Sequence, residues 1–482
     1  MEKTQLTSQT SLMVILLVGF FFVILGYTNS KKNTNNKSYI VGNRDETIFS
    51  LTASLSASAL GAWILFGPAS AATWGGIGAV IGYSCGTAAP MLFLLNFGPK
   101  IRKEFPQGMS ITDFVKKRFG LEILKIIIIL ILFYLTIFLI AEVTAIAFLL
   151  NLISNTPLWM TSGLTLIICL LYILKGGFKL SIITDKYQFS IIVVLIFFSL
   201  FLILNNLEMN SYKLISKNVP NLLSEKNFVN YTAGLTFFIA VAATNLFHQG
   251  NWQRVFAAKD NSVLKKSLIY SSIISFLIVF WMGYTGLISF SLEPNVNPDL
   301  AFFSLIFSNN SFVIIIILIL ALALTLSTID TLINAISSLI IINGKVINNY
   351  FIGKEIKNKV NKLILLLSFF VFILASKGYS ILYLFLLADL LCCAAVITIF
   401  YGFINKKFDF KIAKISIISG LISGLLFFPN QTFQSSILVG NIISQDNLSP
   451  LISTNLLFIS FLVALFVPLI IIMTYCLRNS FR

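Results

Sequence analysis

The chain has 482 residues, 57% of them hydrophobic and 11% charged, with Lys plus Arg outnumbering Asp plus Glu by 34 to 18 for a formal charge of +16. Soluble domains carry roughly 25% charged residues, so a water-soluble globular protein is excluded. The basic excess falls in short loops between apolar runs, which speaks against a nucleic-acid-binding face and for membrane orientation.

Apolar runs of about 18 to 25 residues recur from end to end, the length that crosses about 30 Å of hydrocarbon. About thirteen spans are predicted, at 11–28, 47–66, 74–96, 121–150, 157–174, 183–205, 228–247, 268–290, 311–343, 361–376, 379–404, 412–427 and 454–476. They must be helices, because lipid cannot satisfy open backbone groups and the runs lack the alternation of barrel strands. Ser11–Tyr27 is long for a signal peptide and no small-residue cleavage site follows, so it reads as the first span.

The second span is poor in bulky aliphatics from Ser54 to Ala62 and is punctuated by Gly61 and Gly67-Pro68. Hydroxyls and a break coincide there, which frees backbone carbonyls. Trp63 beside it either lines a pocket with its flat face or packs. In the third span Gly78, Gly82 and Gly86 recur every four residues, a pattern for close helix crossing. His248, the single histidine, falls near the end of the seventh span and reads as a boundary residue rather than a proton relay.

The ninth span carries Ser327, Thr328, Asp330, Thr331 and Asn334 within about two turns, with Ser327, Thr331 and Asn334 on one face. Neutral hydroxyls beside freed carbonyls suit a hard, weakly held cation such as Na⁺, although Ser and Thr also bond their own i−4 carbonyls. Three acids fall at membrane depth: Glu142, Asp330 and Asp389. With no Lys or Arg expected mid-span, each must be protonated, bonded to hydroxyls, or close to water or an ion. The cysteines Cys85, Cys169, Cys392, Cys393 and Cys476 have no metal-ligand spacing and read as small packing residues.

Roughly 28 of the 34 basic residues fall on alternate loops, which places the N-terminus outside and the C-terminus in the cytoplasm of a plasma or inner membrane. They include Lys31, Lys32, Lys37 and Arg44, the cluster from Lys100 to Arg118, then Lys175, Lys179 and Lys186. The pattern continues with Arg254 to Lys266, Lys345 to Lys362, Lys406 to Lys414, Arg478 and Arg482.

Several of these stretches together resemble the sodium:solute symporter family. They are Tyr39–Arg44, Ser54–Gly67, Ser110–Gly120, Gly176-Gly177 with Thr184–Gln188, Gln253–Lys259 and Ser327–Ala335. The resemblance implies an all-α membrane protein with a LeuT-like 5+5 inverted-repeat core. A first helix and cytoplasmic loop would occupy 1–46, the repeats 47–205 and 228–404, and two further helices 405–482.

It further implies sodium as the coupling ion, held by the carbonyls of Ala57, Leu60 and Leu324 and the hydroxyls of Ser327 and Thr328, with Asp185 near the sodium exit. The seventh span would break around Ala240–Asn245. A small polar solute would lie among Ser58, Gly61, Trp63, Tyr83, Val241, Thr244 and Asn245. Those positions lack the amides and acid of sugar-carrying members. The segment His248–Arg254 is similar to that of urea-transporting members, and amino-acid-carrying members fit equally. The implied partners are a small-molecule solute, sodium and lipid, without cofactor, nucleic acid or enzymatic chemistry. Proton coupling through Glu142, Asp330 or Asp389, or a channel, are the alternative readings.

Overall fold

The structure, a computed structural model, describes residues 6–29, 36–207, 209–307, 310–353, 355–405, 408–431 and 455–480, together with 433, 435, 436, 438 and 452. Lys31, Lys32, Lys406 and Arg482 lie outside them. The principal helices are α1 (Ser8–Asn29), α2 (Ile48–Ala59), α3 (Gly67–Glu104), α4 (Ile111–Ser154), α5 (Leu158–Asn205), α6 (Phe228–Phe247) and α7 (Gln249–Ala257). They continue as α8 (Asn261–Leu292), α9 (Ser311–Ile347), α10 (Ile356–Ala375), α11 (Ile381–Ile404), α12 (Phe410–Phe427) and α13 (Leu456–Ser480).

Among the described residues, eleven helices are long and apolar enough to cross a membrane, against the thirteen spans expected. The difference arises at glycines and at a break. α3, α4 and α5 turn at Gly76, Gly120 and Gly177, where φ is 56°, 78° and 60°. A residue with a Cβ rarely adopts such φ, so these glycines let a chain change direction without losing its helical flanks. The spans expected at 157–174 and 183–205 are accordingly two helices within α5, residues 158–176 and 178–205, that meet at the non-helical Gly177. The span expected at 47–66 is the 12-residue α2, too short alone, continued beyond a break into the first arm of α3.

That break has clear local causes. Thr47 caps α2, its hydroxyl accepting from the Ser50 N–H. Leu60 then leaves helical geometry at φ −104° and ψ 86°, and Ala62–Leu65 form a single 3₁₀ turn. Pro68 in the first turn of α3 costs no hydrogen bond there.

The second break joins α6 to α7 at His248, not at the expected Ala240–Asn245. Polar side chains at Thr244 and Asn245 do not open the helix, because both reach back to carbonyls one turn earlier, Ala240 and Val241, at 3.0 Å each. The last carbonyls of α6 are taken instead by side chains of α7. Asn251 Nδ2 donates to Asn245 O at 2.9 Å, and Trp252 Nε1 donates to Leu246 O at 2.8 Å.

The glycine stripe of α3 packs on α6. A Cβ at Gly82 would fall inside the Gly234 backbone and one at Gly78 inside that of Asn230. Such contact is what small residues supply between membrane helices. Gly82→Leu is expected to cost about 1–3 kcal/mol by overpacking, read as a lower thermal-unfolding midpoint in detergent. Gly98→Ala, which meets only the movable ends of Leu264 and Val255, should be close to neutral.

Candidate functional site

The α2–α3 break lies against α4 and α9. A Cβ at Gly61 would collide with Glu142 Oε1 and approach Thr328 Oγ1 at 2.8 Å, so only glycine lets three helices meet there. Glu142, fully buried on α4, accepts the Ala62 N–H through Oε2 at 2.8 Å. The end of α2 leaves its last carbonyls without intrahelical donors, and Leu60 makes the final turn back to Ser56. Thr328 donates to Leu324 O at 3.1 Å. The neighbouring Ser327 donates to Asp185 Oδ1 at 2.7 Å. Ala57, Leu60, Leu324, Ser327 and Thr328 are all buried in this region.

Below it runs a buried charged network. Arg254 of α7 donates through Nη2 to Asp185 Oδ2 at 2.8 Å and to Thr331 Oγ1 at 3.2 Å. Its Nε donates to Ser54 Oγ at 2.8 Å and its Nη1 to Gly250 O at 3.0 Å. Ser54 Oγ in turn donates a hydrogen bond to Asp185 Oδ2 at 2.5 Å. One ion pair thus ties α2, α5, α7 and α9 together, while Glu142, Asp330 and Asp389 have no basic partner among the described residues, as expected. Arg254 belongs to the packed interior and not to a loop.

Asp330 has a separate role. It accepts from Ser181 at 2.8 Å, Tyr172 at 3.0 Å and Thr184 at 3.1 Å, all on α5. Three hydroxyl donors stabilise the carboxylate without a counterion. Asn334, further along the polar face of α9, reaches Gln253 of α7 at 3.4 Å.

Ser58, Trp63, Tyr83, Val241 and Asn245 line one cavity with Phe138, His248, Thr328, Phe385 and Asp389. Trp63 stacks on Tyr83 at 5.7 Å to build one wall, and Phe237 backs Tyr83 from behind at 4.4 Å. Phe138 and Phe385 meet edge-on at 4.8 Å to make another. Asp389 Oδ1 accepts from Thr244 at 2.7 Å. His248 Nδ1 accepts the Gly250 N–H at 3.1 Å, so the ring caps α7 while bordering the cavity. The open space is about 30 Å³, room for one or two water-sized molecules, so a solute enters only when the surrounding helices part.

Residues 39–376 match the family model of the sodium:solute symporters. The chain belongs to that family.

Among curated relatives, the symporter is 26% identical over 411 residues to the spermidine transporter DUR31 of Candida albicans, covering 84% of this chain and 77% of that protein. A Na⁺-coupled sialic acid symporter in a substrate-bound, outward-open state superposes with a TM-score of 0.73 at 16% identity, covering 96% of each chain. Mhp1, a nucleobase-cation-symport-1 family transporter, gives a TM-score of 0.53 at 14% identity over 92% of this chain and 96% of its own. The symporter has the expected all-α, LeuT-like inverted-repeat fold, and it is a multi-pass membrane protein.

Of the residues anticipated for the solute, Thr244 and Gly61 do not line the cavity: one supports Asp389 and the other lets Glu142 approach. Phe138 and Phe385 were missed. Each precedes a buried acid by one helical turn, Phe138 before Glu142 and Phe385 before Asp389, and this i, i+4 pairing places ring and carboxylate on a shared face.

Proposed function

We propose that this symporter uses inward sodium movement to take up a cationic amine. The observation that carries this reading is Asp389: a buried carboxylate in the wall of an aromatic cavity, with no lysine or arginine among the lining residues. Thr244 alone does not neutralise it, and an ammonium group would supply the missing charge. Trp63, stacked on Tyr83, lines the cavity with aromatic surface of the kind that attracts such cations. The kinship with a spermidine transporter supports the same chemistry. Urea is neutral and would leave Asp389 uncompensated, and the relative gives it no support.

Sodium would be held by the Ala57, Leu60 and Leu324 carbonyls with the Ser327 and Thr328 hydroxyls, where the α2 break meets α9. Asp185 would orient Ser327 by accepting its proton, leaving the oxygen lone pairs for the ion. Sodium and amine each stabilise the closed arrangement, so each raises the other's affinity by the same factor. The repeats would span 47–205 and 228–404.

Arg102 and Ala258, joined at 2.7 Å, mark one end of the molecule near the start of α2. At the other end a vestibule of about 480 Å³ is bordered by Ser70, Trp74, Asp299 and Leu382. In the orientation set by the basic loops, the vestibule faces outside and its acid attracts cations.

The test is uptake into proteoliposomes of a labelled polyamine, a monoamine, urea and proline, with an inward sodium gradient or with potassium replacing sodium at fixed pH. Sodium-dependent accumulation of amines is expected, and Asp389→Asn should reduce it at least about tenfold. Accumulation of urea or proline with no amine uptake would overturn the substrate assignment, and amine uptake unchanged in potassium would overturn the coupling.

A further inference from the structure

We propose that Glu142 occupies, with the protein's own carboxylate, the backbone position at the α2–α3 break where a solute carboxylate would otherwise bind, so that the transporter refuses amino acids and accepts their decarboxylated amines. This rests on the amine reading above and deepens it into a rule of selection.

Broken helices in transporters present freed backbone groups to the solute, and N–H groups there engage anionic parts of a substrate. In this chain the Ala62 N–H at the break is already bonded to Glu142 Oε2 at 2.8 Å. Glu142 is fully buried, and its second oxygen, Oε1, has no hydrogen-bond partner among the described residues. That oxygen lies at Gly61 beside Thr328 Oγ1, and Thr328 lines the solute cavity together with Ser58 and Trp63 from either side of the break. A solute carboxylate arriving there would find its N–H donor already taken by the protein's own carboxyl group and would go without that hydrogen bond.

The two acids flank the aromatic pair Phe138–Phe385, Asp389 in the cavity wall and Glu142 behind it at the break. α4 and α11 run antiparallel, since Phe114 meets Phe403 at 5.2 Å while Phe138 meets Phe385 at 4.8 Å. Glu142 and Asp389 follow Phe138 and Phe385 by one turn each, so they lie beyond the aromatic pair in opposite directions along the helices. One sodium ion beside Thr328 and one ammonium at Asp389 would match the two carboxylates. A zwitterionic amino acid would bring no net charge and leave one of them unmatched.

Putrescine and ornithine differ only by a carboxylate and make the test. Each competes with a labelled amine for sodium-driven uptake by the full-length protein in liposomes. Ornithine is expected to compete at least about 100-fold more weakly than putrescine. Glu142→Ala should narrow that ratio to within about tenfold, chiefly by admitting ornithine. Glu142→Gln keeps an oxygen for the Ala62 N–H and should narrow it only partly.

Equal competition by ornithine and putrescine in the unmodified protein would overturn the proposal while leaving the amine reading intact. If neither amine competes or is transported and urea is, the amine reading fails while refusal of carboxylates stands. Glu142→Gln narrowing the ratio as far as Glu142→Ala would overturn the claim of an occupied backbone site. Should Glu142→Ala not yield folded protein, the wild-type ratio and the Glu142→Gln ratio still decide.

Discussion

Arg254→Ala is expected to destabilise the purified protein by about 3–5 kcal/mol, the cost of stranding one member of a buried ion pair. Its guanidinium makes four hydrogen bonds, to Asp185, Thr331, Ser54 and Gly250, and these partners belong to four different helices. Removing it leaves Asp185 with only the Ser54 and Ser327 hydroxyls in a site that water does not reach. Arg254→Lys should recover little, because one ammonium cannot reproduce a planar fork that addresses four separated acceptors. The double substitution Asp185→Asn, Arg254→Met removes both charges and should restore much of the thermal stability. A double-mutant cycle on unfolding midpoints reads this directly. Restored stability should not bring restored transport, since Ser327 would then face a neutral amide in place of the carboxylate that holds its hydroxyl. If Arg254→Ala melts within a degree or two of the wild type, the pair does not hold these helices together.

The sequence made the membrane spans legible because hydrocarbon thickness imposes a length that apolar runs must meet, and side chains need not be placed to see it. The polar stretch of α9 was legible for a related reason: hydroxyls and an acid stand out where nearly everything else is aliphatic. What the sequence concealed was where one helix passes into the next with no loop between them. Gly177 sits in a stretch whose hydropathy merely dips, and whether the chain ends or turns there depends on a positive φ. The α6–α7 break was misplaced for the opposite reason. Thr244 and Asn245 look like helix openers, but their side chains bond within the preceding turn, and the true opening is at a histidine whose ring accepts a backbone N–H. Arg254 was assigned to a loop by the logic of charge counting, which holds for most lysines but not for a guanidinium with a buried carboxylate waiting on another helix. No local pattern announces that partner, since Asp185 is 69 residues away.

Replacing Ser327 and Thr328 together with alanine should raise the sodium concentration for half-maximal uptake at least about a hundredfold, taking each hydroxyl's interaction with a charged group at about 1.5–3 kcal/mol. The two hydroxyls do not carry equal structural weight, which allows the effect to be divided. Thr328 donates only to the Leu324 carbonyl of its own helix in this structure, so Thr328→Ala removes a proposed ion ligand and frees a carbonyl without disturbing another helix. Ser327 also donates to Asp185, so Ser327→Ala withdraws one of the bonds that stabilise the Arg254 partner. Thr328→Ala should therefore shift the sodium dependence with little change in melting temperature, whereas Ser327→Ala should shift both. Because linkage is reciprocal, the amine's apparent affinity at fixed, subsaturating sodium must fall in the same variants, and at saturating sodium it should return toward the wild-type value. Uptake measured across sodium concentrations at several amine concentrations distinguishes this from simple damage, which would lower the maximal rate and leave the sodium midpoint in place. A Thr328→Ala protein with an unchanged sodium midpoint would move the ion away from the junction of the α2 break and α9, and with it the physical link between ion binding and closure of the cavity that Thr328 also lines.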